Sequence, residues 1–278
     1  MKYEEVRGAR IPALGFGTFR MKDAECTQAV ENALKIGYRH LDTAEIYENE
    51  KAVGEAVRSS GLARKDLFIT TKAWMDDLSP NGVRKSLDQS LRDLGIDYVD
   101  LWLIHWPNPK FEVEKTLAAM VKEINAGKIR HVGVSNFPVA LFNRAVKAAP
   151  VVCNQVEYHP YLDQSMVIQA ARNHNALVMA YAPLGIGKCH ADETIAGIGA
   201  KYGKTAAQVT LRWLMQQSHV GAIPKASGFA HAKENFEIFD FELLPEDMAV
   251  IHGLARGERM IEPDFGPEWD DCDLDLES

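Results

Sequence analysis

The chain has 278 residues, 46% apolar and 25% charged, with 20 Gly and 12 Pro, the make-up of a soluble globular protein whose core needs no staples. Its net charge is −8 and no basic cluster stands out, so a nucleic-acid partner has no electrostatic support. Met1-Lys-Tyr-Glu-Glu-Val6 has no apolar run of signal-peptide type, no later stretch would span a bilayer, and Cys26, Cys153, Cys189 and Cys272 stand far apart without CxxC spacing; no membrane, no metal and a reducing, cytoplasmic setting are expected.

A capping hairpin is expected over residues 2 to 12. Strands should then begin at Leu14, Arg39, Leu67, Tyr98, Ile129, Val151, Leu177 and Gly221. Several are nearly continuous apolar runs, such as Leu101-Trp-Leu-Ile104 and Leu177-Val-Met-Ala180, which suits parallel strands covered on both faces. Helix punctuation falls between them. Ser79-Pro80 reads as an N-cap followed by Pro at the first helical position; Val83, Leu87, Leu91 and Leu94 form one face, and Gly95 closes it. Leu117, Met120, Val121 and Ile124 form another stripe, ended by Gly127. Cys189-His190 has the form of a metal pair, but without a second pair it reads as a plain surface loop. After Gly203, Thr205 can cap a helix carrying Val209, Trp213 and Leu214. From about residue 266 an acidic tail follows, with Glu268, Asp270, Asp271, Asp273, Asp275 and Glu277, whose last residues are expected to be solvated and mobile.

Eight strands, each followed by helix, make this an α/β chain. The expected fold is a closed (β/α)8 TIM barrel, one domain over residues 1–278, with an open doubly wound sheet as the rival. Gly15-Phe-Gly17 lacks the third glycine of a dinucleotide fingerprint and opens no helix, which disfavours the rival.

A parallel barrel gathers its chemistry at the carboxyl ends of its strands. There the sequence has Asp42, with Tyr47 in the next loop, then Lys72, His105, Ser135-Asn136, Gln155, Tyr181 and Lys225. Each has a bland alternative: Asp42 and Lys72 as a structural ion pair, His105 as a satisfied core histidine, Tyr47 as a surface aromatic, Gln155 bonded to backbone. Four ionisable groups converging on one rim favour the joint reading. The set suits carbonyl reduction, in which hydride delivery builds negative charge on oxygen. Tyr47 can donate a proton, Lys72 is expected to lower its pKa, Asp42 to keep Lys72 charged, and a neutral His105 to orient the carbonyl. The hydride must come from a cofactor, because no side chain supplies one. A class I aldolase with Lys72 as Schiff-base nucleophile is a second enzyme reading. It leaves Ser135, Asn136, Gln155 and Tyr181 without a role.

In these residues the chain resembles the aldo-keto reductases over nearly its whole length. Ala13-Leu-Gly-Phe-Gly-Thr-Phe19, Leu41-Asp-Thr-Ala-Glu-Ile-Tyr47, Ile104-His-Trp-Pro107, Gly133-Val-Ser-Asn-Phe137, Asn154-Gln-Val-Glu-Tyr158 and Ile223-Pro-Lys225 occur in the family's order. The ending Arg259-Met-Ile-Glu-Pro263 and Gly266-Pro-Glu-Trp-Asp270 is similar to bacterial members of the 2,5-diketo-D-gluconate and methylglyoxal reductase type. The resemblance implies a catalytic tetrad of Asp42, Tyr47, Lys72 and His105, with Tyr47 as proton donor. It implies nicotinamide contacts from Ser135, Asn136 and Gln155, with Tyr181 stacked under the ring and Thr18 and Asp42 beside it. Lys225, Ser227 and His231 fall at the adenosine phosphate, Glu234 and Asn235 at the adenine. Phe19, Trp74 and Trp106, with His105, would bound the substrate.

At the phosphate end the family commonly has Lys-Ser, then Arg six residues after the Lys; here Lys225 precedes Ala226 and the Arg position is His231. NADPH is therefore expected as the cofactor with NADH also used, since an Arg fork grips a phosphate better than an imidazole that is mostly neutral at pH 7. The expected partner is a small carbonyl compound and the expected state a monomer. A cofactor-binding regulatory barrel without turnover is the non-enzymatic alternative. Only Pro107 to Val113 separate His105 from the next helix, and the tail is short. An open site is therefore expected, better suited to small polar or α-dicarbonyl compounds than to steroids.

Overall fold

The expected hairpin is present as β1 (Tyr3–Val6) and β2 (Ala9–Pro12), paired antiparallel. Arg7 and Gly8 between them both have positive φ, as a two-residue turn needs if its twist is to match the strands. The structure, a computed structural model, describes residues 1–270. Asp271, Cys272, Asp273, Asp275 and Glu277 of the expected tail lie outside the described residues.

Eight parallel strands follow: β3 (Phe16–Gly17), β4 (His40–Asp42), β5 (Phe68–Ala73), β6 (Val99–Ile104), β7 (Ile129–Ser135), β8 (Val151–Glu157), β9 (Leu177–Tyr181) and β10 (Val220–Ala222). Each pairs with the next in chain order. The sheet closes where Leu14 bridges Ala222 in parallel, with Gly15 N–H donating to Ala222 O at 2.9 Å and Gly17 N–H to Pro224 O at 3.1 Å. The fold is thus a (β/α)8 barrel. Closure also explains the glycine pair: a Cβ on Gly15 would lie 2.9 Å from the His40 ring, and one on Gly17 3.0 Å from Ile223 O. These glycines serve a close backbone approach and hold no phosphate turn.

Between the strands run α1 (Asp23–Ile36), α2 (Glu50–Ser59), α3 (Pro80–Leu94), α4 (Val113–Asn125), α5 (Val139–Ala148), α6 (Ser165–Asn173), α7 (Glu193–Tyr202) and α8 (Ala206–Gln216). After β10 come α9 (Phe229–Phe236) and α10 (Pro245–His252). One helix per strand is therefore exceeded after β9 and after β10. The punctuation holds: Ser79 Oγ accepts from Gly82 N–H, Gly95 ends α3 in the left-handed region, and Thr205 with Gln208 forms a full capping box.

Strand residues alternate between two buried layers. Trp102 and Ile104 belong to the layer between strands and helices. Leu101, Leu103, Cys153, Leu177 and Met179 fill the barrel, where Val6, Ala9 and Ile11 of the hairpin plug one end. The same alternation continues to the opposite end, so the inward series 40–42, 70–72, 103–105, 153–155 and 179–181 terminates in polar residues at one mouth. Three expectations need correction, the last of them in the Tyr47 phenol. Cys189-His190 is not a plain surface loop: Cys189 is fully buried in a short helical turn, Gly185–Ala191. Among the described residues no group of three or more His, Cys, Asp or Glu could hold a metal, and no helix is long and apolar enough to cross a membrane. The second correction is the roof of the mouth, described next.

Candidate active site

At the base of the mouth Lys72 Nζ donates to Asp42 Oδ1 at 2.5 Å and to Thr43 O at 2.8 Å, with both charged side chains almost fully buried. Gln155 Nε2 donates to the other carboxylate oxygen of Asp42 at 2.8 Å. Thr18 donates to Asp42 O through both its hydroxyl and its N–H, at 3.0 Å each. A buried ion pair costs desolvation that hydrophobic packing would avoid, so it is weak evidence of a stabilising role alone. Gln155 bonds a side chain rather than the backbone, which tightens the pair.

Tyr47 and His105 complete the cluster. Lys72 Nζ lies 5.1 Å from the centre of the Tyr47 ring, and the Tyr47 and His105 ring centres are 5.6 Å apart. Burial, with the Lys72 charge adding to it, holds the His105 imidazole well below its usual pKa, so the ring is neutral at pH 7. Its Nδ1 is buried without a hydrogen-bond partner among the described residues. The expectation for Tyr47 is overturned. Its pKa is raised, first by burial and then by Asp42. Lys72 aims its ammonium at Asp42 and Thr43 O, and burial lowers its own pKa. The phenol therefore keeps its proton.

Beside the cluster a second set interlocks. Ser135 Oγ donates to Gln155 O at 2.7 Å, Asn136 Nδ2 to His105 O at 3.0 Å, and the Tyr181 hydroxyl to Asn136 Oδ1 at 2.7 Å. Asn136 sits in the left-handed region at φ 62°, which Asn tolerates better than most residues. Lys225, Ser227 and His231 lie farther out, exposed in the loop after β10 and in α9; Glu234 in α9 accepts from the Thr205 hydroxyl, and Asn235 is buried. Gly228 precedes α9 with no side-chain cap, and no acidic residue lies in its first turn.

Phe19 packs on Tyr47 with ring centres 5.0 Å apart, and Trp74 meets His105 edge-on at 5.2 Å. The tail covers part of the mouth, where little roofing material was expected. Phe265 from the tail stands edge-on to Trp74 at 5.8 Å and to Trp106 at 5.4 Å, and Trp269 reaches Trp106 at 6.1 Å. The tail is short but folds back over the barrel. Sequence reasoning missed Phe265, Trp269, Asn49 and Glu157 as shapers of the site. Asn49 donates to Thr18 O and Met21 O and accepts from the Thr43 hydroxyl, tying the loops after β3 and β4 together. The aromatic residues of the tail were the available signal.

Residues 13–256 match the model of the aldo/keto reductase family. The chain belongs to that family. It is an oxidoreductase acting on carbonyl groups. It is 41% identical over 266 residues to methylglyoxal reductase DkgB of Escherichia coli O157:H7, covering 94% of this chain and 99% of that protein. An aldo-keto reductase of Mycobacterium avium is 39% identical, with 91% and 89% covered. Among solved structures, one provisionally named 2,5-diketo-D-gluconic acid reductase B superposes with a TM-score of 0.96 at 47% identity, covering 98% of each chain. The aldose reductase of Schistosoma japonicum does so at 0.89 and 32%, covering 94% of each.

Proposed function

We propose that this aldo-keto reductase reduces small aldehydes and ketones, α-dicarbonyls among them, to alcohols with NADPH, that NADH also serves, and that Tyr47 donates the proton. The observation that carries the reading is the juxtaposition of Tyr47 and a neutral His105 with the buried Lys72–Asp42 pair. The relatives named for methylglyoxal and 2,5-diketo-D-gluconic acid support a small, polar carbonyl substrate.

The residues fit a nicotinamide dinucleotide on chemical grounds. Ser135, Asn136 and Gln155 offer a hydroxyl and two carboxamides, complementary to a carboxamide, and Tyr181 offers an adjacent aromatic face. The first turn of α9 has N–H groups without a side-chain cap, and Lys225 and Ser227 are exposed just before it, a setting that favours a phosphate. When bound, the cofactor supplies the hydride. His105 and the Tyr47 hydroxyl hold the carbonyl oxygen between them. Because Tyr47 keeps its proton at neutral pH, it is ready as an acid. Lys72 offsets the charge of Asp42, which would otherwise oppose loss of that proton. Asp42 and Gln155 keep Lys72 oriented, and Trp74, Trp106 and Phe265 limit water around the reacting atoms.

The test is the oxidation of NADPH and NADH by purified protein with methylglyoxal and 4-nitrobenzaldehyde. Turnover with both substrates, faster with NADPH, is expected. No cofactor oxidation with any of a panel of carbonyl compounds would overturn the reading.

A further inference from the structure

Beyond α10 the described chain has no helix or strand, yet it is tied to the barrel at successive points. The N–H groups of Arg256 and Glu258 both donate to Tyr161 O, at 3.1 and 3.0 Å. Those of Met260 and Ile261 donate to the two carboxylate oxygens of Glu157, at 2.7 and 2.9 Å. Phe265 then meets Trp74 and Trp106, and Asp270 Oδ2 accepts from Val139 N–H at 2.8 Å, capping α5.

Glu157 is the pivot. It ends β8, on the inward series that also carries Gln155, and none of it is exposed. A carboxylate there must have its oxygens satisfied by donors, because removal from water is costly otherwise. His159 provides one: its Nδ1 accepts from Tyr161 N–H at 3.3 Å, which puts the ring hydrogen on Nε2, and Nε2 donates to Glu157 Oε1 at 2.9 Å. The other two donors belong to the tail. Carboxylate and tail satisfy one another, so a tail that lifted away would leave a buried anion two bonds short. Four residues beyond the second bond, Phe265 occupies the roof.

We infer that Glu157 is a positioning residue that latches residues 256–270 over the mouth, and thereby sets which carbonyl compounds are favoured without touching the reacting atoms. The kinetic part of this inference rests on the activity proposed above; the structural part does not. In Glu157→Gln an amide NH₂ would face a backbone N–H in place of an acceptor. Hydrogen exchange at Met260 and Ile261 should then speed up by about tenfold or more, since their opening no longer strands a charge. The KM for 4-nitrobenzaldehyde, large enough to reach the roof, should rise about five- to tenfold, while kcat for methylglyoxal stays within about twofold. NADPH affinity should not move. Ile261→Pro is the second variant: it deletes one donor from the tail and leaves the barrel core intact. It should shift KM in the same direction and speed exchange at Met260.

Wild-type exchange at residues 260 and 261 in Glu157→Gln would overturn the latch. So would faster exchange with an unchanged KM in both variants. If the wild-type protein reduces neither aldehyde, the proposed activity fails, and the exchange measurement alone judges the latch.

Discussion

The base and the roof of the mouth are built on different terms. The base is made of strand ends: Asp42, Lys72, Ser135 and Gln155 are at most 2% exposed, and every bond among them is anchored in the sheet. The roof is made of irregular chain, with Phe265 44% exposed and held by ring edges and a few backbone bonds. On the proposed reading, the chemistry that tolerates little displacement would sit on the rigid part, and selection among substrates on the irregular part. The comparison implies that damage to the base should cost turnover and stability together, whereas damage to the roof should cost KM alone.

The largest break should come from Lys72→Met, which leaves Asp42 buried without its cation. Stability is expected to fall by about 3–5 kcal/mol in urea unfolding, and turnover by about two to four decades. Adding Asp42→Asn should restore much of the stability and none of the activity. A double variant that recovers both would make the pair merely structural.

A smaller effect sharpens the comparison from behind the base. Glu50 opens α2 outside the barrel wall, where the Thr71 hydroxyl donates to it at 2.6 Å. Burial pushes its carboxyl up to about 7. The folded value lies above that of an unfolded chain, about 4.3. Its contribution to stability is therefore full below about pH 4 and is lost as pH rises through about 7. Glu50→Gln keeps an acceptor for Thr71 and cannot ionise. It should be more stable than the wild type by roughly 3–4 kcal/mol well above pH 7, with the gap closing towards pH 4. A pH-independent difference between the two proteins would contradict the assignment.

The smallest effect belongs to the outer edge, away from both regions. His231→Arg should strengthen NADPH binding by about 1–2 kcal/mol and leave NADH nearly unchanged, if that position meets the phosphate. Equal dissociation constants for NADPH in the two proteins would show that residue 231 does not reach it.

The base was legible because strand patterning and strand-end residues are local signals. Leu101-Trp-Leu-Ile104 announces a buried strand, and the residue that follows it is His105. The four proposed tetrad residues could be listed together because a closed barrel sends every strand end to one rim. The roof was not legible in that way. That Phe265 would lie between Trp74 and Trp106 depends on bonds between residues more than 100 positions apart, Met260 with Glu157 among them. No period or cap in the tail encodes such pairings. The Tyr47 expectation failed for a related reason: the proximity of Lys72 could be guessed, but not that Asp42 and the Thr43 carbonyl would absorb its charge in a dry site.

The protonated Tyr47 hydroxyl, held among Lys72, Asp42 and His105, is the proposed acid of the reaction. Steady-state reduction of methylglyoxal by Tyr47→Phe, with NADPH affinity measured in parallel by fluorescence, tests it most directly. The ring and its packing on Phe19 remain in this variant and only the proton is removed. A kcat lower by about two to four decades is expected, with the NADPH Kd within about twofold of wild type. Near wild-type turnover would contradict it.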